Sequence, residues 1–581
     1  MSRTLHHLYP PHLSAQALKA ASLIWARTRE SDKQQSQLEI LLTKRSQKAS
    51  FAPGAYVFPG GKIDPKDQAY AKRYLNLHPT SQLSLDQATH ACTALRESFE
   101  ELGLLLLNKE SGARIEASDL GQLSRSKDLF AQIDALKWTL SLDDTHVMCH
   151  WITDRDLPIR FDVPFLVAEC PEGLQPLADE HEQFDPLWLT PLEALQKHQE
   201  GELHLVYPTI KTLERLQSLH SAHALMHATR LNSPWFSSCA RAGFLGGKVS
   251  RYMEHESPFG ELVLVCPEGQ LQHHLDWQSE RATPLLKNVS RLTAPNPGLM
   301  TGPGTNTYIV GTHESGFIVI DPGPALPEHV ERLHHTTGGN IKHIICTHSH
   351  ADHSPGAKPL QAMCDLSKPI IWGLPSAPTA RANSEFVPDR ACTDGQTWIL
   401  RSPGSNIEHT LRAVFTPGHA ANHICLVLLE EALLFSGDHI LNGSTTVVDP
   451  PDGNMNAYLN SLDILRQLCV KERIEFILPA HGHVLGNVWG APFDPVHLID
   501  NLKNHRLKRE AKIKDVMQKD PHGDLSTWVK KAYDDVPQRV WPAAMRSLSA
   551  HVERLAEQGL AFELSERAKA QLKAPSTPLQ M

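Results

Sequence analysis

Four side chains that can bind a metal ion are crowded into the six-residue stretch His348-Ser-His350-Ala-Asp352-His353. The stretch follows directly on the apolar run 344–346, which predicts a buried strand that ends in a ligand-bearing loop. Neutral imidazole and carboxylate are ligands of borderline cations such as zinc. The chain has 34 histidines, yet this spacing should arise by chance in only roughly one such chain in a hundred. The spacing therefore predicts a metal site.

Three later segments also place a potential ligand at the end of an apolar run. They are 415–419, which ends in His419, 433–438, which ends in Asp438, and 476–481, which ends in His481. Each is typical of a strand that delivers one side chain into a common cleft. Together with the strand and turn at 319–323, these motifs resemble, in type and order, the five motifs of the metallo-β-lactamase-fold hydrolases.

The resemblance implies an αββα sandwich that binds two zinc, manganese or iron ions and hydrolyses its substrate with a bridging hydroxide. It implies a catalytic role for Asp352. By position, the resemblance implies that the first metal is bound by His348, His350 and His419. It implies that the second metal is bound by Asp352, His353 and His481, and that Asp438 bridges the two.

Other histidines are expected to have supporting or surface positions. His423 and His439 neighbour the implied ligands and are expected to hydrogen-bond to them, because that is the commoner role for such a residue. The pairs at 273–274 and 334–335 lack converging partners in the sequence and are expected on the solvated surface.

Further motifs narrow the resemblance to the branch that includes the lactamase-beta-like endoribonucleases. These motifs lie at 296–298, 301, 304–308, 444–447, 450–453, 504–506 and 509–510. In that branch a winged helix follows the metal domain, and the amphipathic pattern over 498–564 is suitable for one. A winged helix contacts nucleic acid or supports a neighbouring domain. The basic run 503–514 fits either phosphate contact or an ordinary solvated helix face.

The N-terminal half contains a second candidate site, on a predicted helix around residues 96–104. Glu97, Glu100 and Glu101 are related by i,i+3 and i,i+4 spacing, so their carboxylates share one helical face. Like charges so placed are best tolerated with a hard cation such as magnesium or manganese over them. An ordinary acidic helix surface is the alternative. Gly103 is expected to end the helix.

This helix and the preceding segment 58–64 resemble the Nudix hydrolases, and the run from 41 to 61 resembles their coenzyme A diphosphatase subgroup. The chain departs from the pattern through an insertion at 68–87. Asp67 replaces a glutamate of the family, and Ser50 replaces an arginine of the subgroup.

The Nudix resemblance implies a role for each matching residue. Glu97, Glu100 and Glu101 would bind magnesium or manganese, with Glu97 and Glu101 also catalytic, while Arg96 would orient one carboxylate and Gly61 would contribute its carbonyl. Glu182, with Glu180 as the alternative, is expected as a further ligand or base. Arg45 is expected to contact substrate phosphate or to pair with a surface acid.

Length and composition are consistent with two catalytic domains. A chain of 581 residues is too long to fold around a single hydrophobic core, and its hydrophobic content of 41% is enough for several cores. The net charge of −9 gives no general attraction to nucleic acid. Ten scattered cysteines without a Cys-x-x-Cys pair favour a reducing compartment. With no secretion signal and no membrane-length apolar run, we expect a cytoplasmic protein.

We therefore expect an α/β and α+β multidomain protein. Its predicted parts are a Nudix α/β/α sandwich (1–240), a connecting segment (241–288), the αββα sandwich (289–496), a winged-helix-like domain (497–566) and a flexible tail (567–581).

The expected function is that of a bifunctional metal-dependent hydrolase. The N-terminal half would cleave a phosphoanhydride in a nucleotide or coenzyme A type of substrate. Alternatively, that half only binds such a molecule, and the C-terminal half is an endonuclease for single-stranded RNA or a hydrolase of esters or thioesters.

Overall fold

The structure is a computed structural model that describes residues 6–10, 15–30, 36–365, 367–404, 408–559 and 571. The chain divides into two compact units. The N-terminal unit comprises Leu13–Ala240, and the C-terminal unit comprises Met1–His12 and Arg241–Met581.

The N-terminal unit is built around a mixed sheet. Its strands are β1 (Leu18–Glu30), β2 (Ser36–Arg45), β3 (Tyr56–Val57), β4 (Gly60–Lys62), β5 (Leu107–Lys109), β6 (Trp138–Leu140), β7 (His146–Ile152), β8 (Phe161–Glu169), β9 (Gln183–Leu189) and β10 (Phe236–Ser238). Its helices are α1 (Pro65–Leu77), α2 (Leu85–Leu102), α3 (Ala117–Leu120), α4 (Leu129–Ala135), α5 (Pro191–Gln199), α6 (Tyr207–Leu216) and α7 (Ala222–Leu231), with a 3₁₀ turn at Leu142–Asp144.

The main sheet has the strand order β10-β7-β8-β1-β2-β3, with β4 beside β1 and β9 beside β2. Helix α2 packs on this sheet, and its apolar face shares a core with Leu23 and Trp25 of β1. A capping box formed by Ser84 and Gln87 begins α2, and Gly103 ends it in a left-handed conformation, as the sequence predicts.

The predicted insertion at 68–87 supplies most of α1, which packs on α2 through Tyr70 and Tyr74. Asp67 is fully buried at the start of α1. The insertion is therefore part of the core of this unit.

The C-terminal unit contains two larger sheets and a group of helices. Its strands are β11 (Arg241–Leu245), β12 (Lys248–Tyr252), β13 (Thr283–Leu286), β14 (Val289–Thr293), β15 (Asn306–Thr312), β16 (Gly316–Ile320), β17 (Ile341–Ile345), β18 (Ile370–Gly373), β19 (Arg390–Ala391), β20 (Thr397–Arg401), β21 (Glu408–Phe415), β22 (Ile424–Leu428), β23 (Leu433–Gly437), β24 (Phe476–Pro479) and β25 (Leu485–Gly486). Its helices are α8 (Phe259–Val265), α9 (Pro327–Thr337), α10 (Ala357–Met363), α11 (Met455–Glu472), α12 (Pro495–Lys519), α13 (Leu525–Ala532) and α14 (Trp541–Glu557), with 3₁₀ turns at Ala382–Ser384 and Gln538–Val540.

The two sheets follow the chain in strand order, β13 to β19 in one and β20 to β25 in the other. Apolar side chains of both sheets, including Tyr308, Ile318, Leu426 and Phe435, form one core between them. Separate apolar clusters join the first sheet to α9 and α10, and the second sheet to α11 and α12. This arrangement is the αββα sandwich that the sequence predicts.

The segment 241–288 differs from its prediction as a connecting segment, because it is an integral part of the C-terminal unit. Helix α8 places Glu261, which is fully buried, against Arg291 of β14, His273 and His483. The prediction of a solvated His273 is wrong, since its ring is buried in this ion-pair network. These partners could not be predicted from the sequence, because they lie up to 222 residues apart.

The beginning of the chain also differs from the prediction that the N-terminal domain starts at residue 1. Residues 6–10 lie in the C-terminal unit, where Leu8 and Tyr9 pack against the inter-sheet core and His6 bonds to Glu431. This short segment has no periodic pattern from which that location could be predicted.

Helices α12, α13 and α14 form a small core at the end of the described chain, with Ile513, Trp528 and Leu548 at its centre. The predicted amphipathic segment 560–564 lies outside the described residues. In the predicted tail, the described residue Gln571 accepts a hydrogen bond from Leu525 at 2.9 Å. Among the described helices, none is both long and apolar enough to span a membrane.

Candidate functional site

The predicted ligands of the C-terminal unit all lie on loops that follow strands of the sandwich. The loop after β17 contributes His348, His350, Asp352 and His353. Single ligands follow three strands of the second sheet, which are His419 after β21, Asp438 after β23 and His481 after β24. Because these strands end at one edge of the sandwich, seven side chains distant in sequence converge there.

The converging side chains form two groups. Within each group, the metal-binding donor atoms all lie within 4.8 Å of one another. One group is His348, His350, His419 and Asp438, and the other is Asp352, His353 and His481. In the first group, Nδ1 of His350 lies 2.9 Å from Nε2 of His348 and 3.0 Å from Nε2 of His419. In the second, Oδ2 of Asp352 lies 3.2 Å from Nε2 of both His353 and His481.

Asp438 belongs to the first group and also lies next to the second. Its Oδ2 lies 3.5 Å from Nε2 of His419, and its Oδ1 lies 3.3 Å from Nε2 of His481 and 3.6 Å from Nε2 of His353. The structure thus places Asp438 between the two groups, where the sequence resemblance puts a bridging ligand.

The donor set fits a pair of metal ions. Asp438 Oδ1 and His353 Nε2 are buried without a hydrogen-bond partner, which is costly unless another group binds them. The remaining donors are imidazole nitrogens and a carboxylate, the ligand types of zinc, manganese and iron.

The protonation states also fit metal binding. Burial lowers the pKa of His348, His350 and His419, with His350 at about 3, so these imidazoles are neutral ligands at pH 7. Burial opposes ionisation of Asp352 and Asp438 as well, but neighbouring histidines hold the pKa of both carboxyls well below its usual range.

In the second group, neighbouring carboxylates outweigh the effect of burial on the pKa values of the imidazoles. Burial acts to lower the pKa of His481, but Asp438 and Asp352 outweigh it and raise that pKa to about 10. Charges on Asp352, Asp438 and Asp321 similarly raise the pKa of His353. The carboxylates thus make this position favourable for positive charge, which suits a bound cation.

Hydrogen bonds to the opposite ring nitrogens hold the ligands in place. Val447 O lies 2.7 Å from Nδ1 of His419, and Gly304 O lies 3.1 Å from Nδ1 of His481. Asp321 contacts Nδ1 of His353 at 3.0 Å and accepts two bonds from Thr347. Such contacts orient each ring and turn its Nε2 towards the site.

The neighbouring histidines stand outside both donor groups, as expected from the sequence. His423 Nε2 accepts a bond from the backbone N–H of Asp438 at 3.2 Å, which is the expected contact with a ligand. His439 Nε2 instead lies 3.3 Å from Tyr458 O, so the expectation that its ring bonds to a ligand is wrong. Sequence reasoning assigned no role to Asp321, although its place directly after β16 matches that of the ligands after other strands.

A cavity of about 530 Å³ opens beside the two groups. His350, Asp352, His419, Asp438 and His481 line one part of it. Side chains from the C-terminal helices and the turns between them line another part, among them Arg506, Tyr533, Val540 and Ala544. The cavity therefore offers both polar and apolar surface next to the histidine cluster.

In the N-terminal unit, α2 brings Glu97, Glu100 and Glu101 to one side, where Arg96 reaches two of them. Its guanidinium lies 2.9 Å from Glu97 and 2.8 Å from Glu100, and it also bonds to Asp67 of α1 at 2.8 Å. The carboxylate oxygens of the three glutamates are spread more widely than the ligand atoms of the two C-terminal groups, which alone in the described part of the chain lie within 4.8 Å of one another.

The glycine-containing strand β4 lies against these carboxylates. The N–H of Gly60 donates to Glu101 at 3.0 Å. A side chain on Gly61 would place its Cβ 2.3 Å from the Glu97 carboxyl carbon, so only glycine allows this approach. The segment that sequence analysis paired with the helix is therefore in contact with it.

Burial is the main influence on two of these carboxyls. It raises the pKa of Glu97 to about 7 and of Glu101 to about 8, and in both cases a neighbouring glutamate charge adds to the effect. Charge crowding of this kind favours a bound cation, and carboxylate oxygens suit magnesium or manganese.

The other predicted residues of this site are placed differently. Glu182 is exposed, and the side chain that reaches the cluster is that of its neighbour Gln183, which donates to Glu101 at 2.8 Å. Glu180 is exposed as well. Arg45 donates to the carbonyl of Phe51 at 3.0 Å, and its charge acts to lower the pKa of Glu101.

Family comparisons agree with the geometry of the C-terminal unit. Residues 300–481 match the model of the metallo-beta-lactamase superfamily, and 527–569 match that of the beta-lactamase associated winged helix domain. The beta-lactamase-like protein 2 homolog of Drosophila melanogaster is 30% identical over 295 residues, which cover 48% of this chain and 90% of that protein. The chain belongs to the metallo-beta-lactamase superfamily. With its ligands converging in one cluster, this superfamily member is a metal-dependent hydrolase.

Two further relatives are covered by the chain over different shares of their own length. The atrochrysone carboxyl ACP thioesterase of Aspergillus chevalieri is 30% identical, with 51% of this chain and 92% of that protein covered. The lactamase-like protein nscB of Neosartorya fischeri is 36% identical over 35% of this chain, which spans only 56% of that protein.

A solved structure is similar to part of the chain. A NUDIX hydrolase from Alicyclobacillus acidocaldarius is 28% identical, with 36% of this chain and 96% of that chain covered and a TM-score of 0.32.

Proposed function

We propose that the chain combines two metal-dependent hydrolases, a C-terminal one that acts on an acyl thioester and an N-terminal one that cleaves a phosphoanhydride. The observation that carries the proposal is the convergence of seven ligand-type side chains beside an open cavity. A cavity of about 530 Å³ is in the size range of small-molecule sites.

The thioester is favoured over other substrates by a relative and by the cavity. The Aspergillus chevalieri protein, which the chain spans almost fully, is by name a thioesterase. Apolar side chains such as Val540 and Ala544 beside the histidine cluster suit an acyl chain.

The seven ligand residues would bind the two ions as their geometry groups them, with Asp438 shared. Bound zinc, manganese or iron ions supply Lewis acidity and lower the pKa of water to near neutrality. Asp352 is ionised and lines the cavity, so its carboxylate is positioned to accept a proton from the attacking water and to pass that proton to the leaving thiolate. Thr305 fixes that carboxylate through a bond of 3.2 Å.

For the N-terminal unit we infer a nucleotide or coenzyme A type of substrate, bound with magnesium or manganese. Glu97, Glu100 and Glu101 would hold the cation, with Arg96 orienting the first two. Glu97 and Glu101 have pKa values near neutrality, which suits proton transfer at physiological pH. Gln183 replaces Glu182 in this proposal as the side chain that positions Glu101.

Hydrolysis of single-stranded RNA is the alternative for the C-terminal unit. The basic run 503–514 offers it limited support, because Lys503 pairs with Asp463 and Lys512 pairs with Asp534. These acidic partners neutralise charges that would otherwise be available to phosphate. For the N-terminal unit, the alternative is a module that binds its nucleotide without cleaving it.

We place the protein in the cytoplasm as part of this proposal. All ten cysteines are free, and eight of them are buried as small apolar residues would be. A reducing compartment agrees with that chemistry.

One experiment on the full-length protein separates the two activities. Wild type, Asp352→Ala and Glu101→Gln are assayed with zinc or manganese against acyl thioesters and an oligoribonucleotide, and with magnesium against coenzyme A and nucleoside diphosphate derivatives. Asp352→Ala should lose thioester hydrolysis on the order of 100-fold and keep diphosphate cleavage, and Glu101→Gln should do the reverse. If wild type cleaves no diphosphate, the N-terminal unit is a binding module. Cleavage of RNA without thioesters would reject the thioester proposal.

A further inference from the structure

Arg506 is a buried cation on the wall of the cavity. It lies on α12, is 3% exposed, and in the described part of the chain forms no ion pair with a carboxylate. Its guanidinium donates to the carbonyl of Thr446 and lies over the ring of Tyr458 at 5.2 Å. Its Nε–H is buried without a hydrogen-bond partner. A buried charge left in this state is costly unless an anion joins it.

The other arginines that line the cavity are paired. Arg509 bonds to both carboxylate oxygens of Asp535 at 2.8 Å. Arg546 lies 3.3 Å from Asp449, which also pairs with Arg381. Carboxylates of the protein therefore neutralise these three arginines. In the described part of the chain, no carboxylate pairs with Arg506 in the same way.

Tyr533 offers a second unused donor on the same cavity. Its hydroxyl is buried and has no hydrogen-bond partner. Its ring is held by the guanidinium of Arg509, which stacks over it at 4.3 Å. The charge of Arg506 acts on this hydroxyl, since it opposes the rise in the pKa of Tyr533 that burial causes. A phenol hydroxyl and a guanidinium together are a common way to bind an oxyanion.

We propose that Arg506 and Tyr533 form an oxyanion subsite that binds a carboxylate on the acyl group of the substrate. The inference rests on the proposed thioesterase function. Arg506 binds Thr446 O, and the next carbonyl, that of Val447, contacts the His419 ring. Two hydrogen bonds and one peptide unit thus separate the guanidinium from the histidine cluster, a distance on the order of 10 Å. An acyl carboxylate reaches that point more readily than a phosphate at the far end of a carrier arm.

The test compares thioesters that differ only in where they carry negative charge. Succinyl-pantetheine has a carboxylate on the acyl group, butyryl-pantetheine has none, and butyryl-coenzyme A has phosphates on the carrier. In the metal-loaded full-length protein, Arg506→Met should lower kcat/KM for succinyl-pantetheine by about tenfold or more, and Tyr533→Phe by about threefold or more. Both variants should keep the value for butyryl-pantetheine within about twofold.

Two controls accompany this comparison. Lys512→Met, on the same helix but paired with Asp534 at the surface, should change no substrate. Tyr533→Phe removes one oxygen only and serves as the test if Arg506→Met does not fold. Equal losses for the charged and neutral acyl groups, or a loss confined to butyryl-coenzyme A, would overturn the acyl-carboxylate subsite.

Binding of free succinate separates this proposal from the thioesterase proposal. Calorimetry should give about tenfold weaker succinate binding for Arg506→Met than for wild type. The same difference should be found between Asp352→Ala and the double variant Asp352→Ala/Arg506→Met. If wild type hydrolyses no thioester but this difference is found, the subsite stands and the proposed reaction fails. The same affinity in wild type and variant overturns the subsite.

Discussion

Glu261 carries a fully buried charge that ties α8 to the sandwich. Its carboxylate pairs with Arg291 at 2.5 Å and with His273 at 2.8 Å, and it also accepts from Val484 N at 3.2 Å. Burial alone would raise the pKa of this carboxyl, but Arg291 and His483 hold it well below its usual range. Since His483 lies two residues beyond His481, the network supports the loop that presents a metal ligand.

Replacing this carboxylate should destabilise the C-terminal unit. Glu261→Gln leaves the buried guanidinium of Arg291 without its counter-charge, which costs about 3–5 kcal/mol of unfolding free energy at pH 7. Because folding lowers the pKa of Glu261, its stabilising contribution is complete above about pH 4.5 and is lost gradually as the pH falls from there towards the much lower pKa of the folded state. Thermal unfolding at pH 7 and pH 4 measures both effects.

The variant should therefore differ from wild type most at pH 7 and less at pH 4. Glu280→Gln, at an exposed position in the same segment, provides the matched control and should unfold like wild type. A Glu261→Gln protein as stable as wild type at pH 7 would contradict the account of this network.

At the scale of elements, the site depends on how closely the ligand loops approach the helices behind them. Gly418 precedes His419 in the loop after β21 and has a φ of +143°. A side chain there would place its Cβ 2.3 Å from the Cα of Tyr458, in the backbone of α11. The loop can thus reach its position only with glycine.

Gly418→Ala should move His419 away from the other ligands. A displacement of about 1 Å can cost on the order of 100-fold in rate, so we expect a loss of at least tenfold in thioester hydrolysis together with a lower unfolding temperature. Gly395→Ala is the matched control, because Gly395 also has a positive φ but no atom lies within 4 Å of the added Cβ. Steady-state rates for the two variants decide the question, and equal effects would show that backbone strain alone is responsible.

Features that depend on neighbouring residues could be predicted from the sequence, whereas features that depend on contacts between distant residues could not. The ligand loops were predictable because each follows an apolar strand within a few residues, as Asp438 follows β23. The place of residues 6–10 and the role of Glu261 were not, because their partners are far away in the chain and leave no periodic signal. The role of Glu182 stays a prediction, and the sequence did not single out its neighbour Gln183, whose side chain is the one that turns inward to Glu101.

On the scale of the whole molecule, the chain contains two compact units, each with its own candidate site. The sites differ in chemistry, because imidazoles dominate in the C-terminal unit and carboxylates in the N-terminal unit. Transition-metal ions should therefore be retained by the former through purification, while magnesium at the latter should exchange freely.

Metal content of the purified full-length protein tests the central claim most directly. After metal-replete purification and buffer exchange, elemental analysis should find about two equivalents of zinc, manganese or iron per chain. Asp438→Ala should lose most of this metal because Asp438 touches both ligand groups, whereas Asp365→Ala, at an exposed position, should retain it. A wild-type protein that binds no transition metal, or an Asp438→Ala variant that still holds two equivalents, would contradict the dinuclear site.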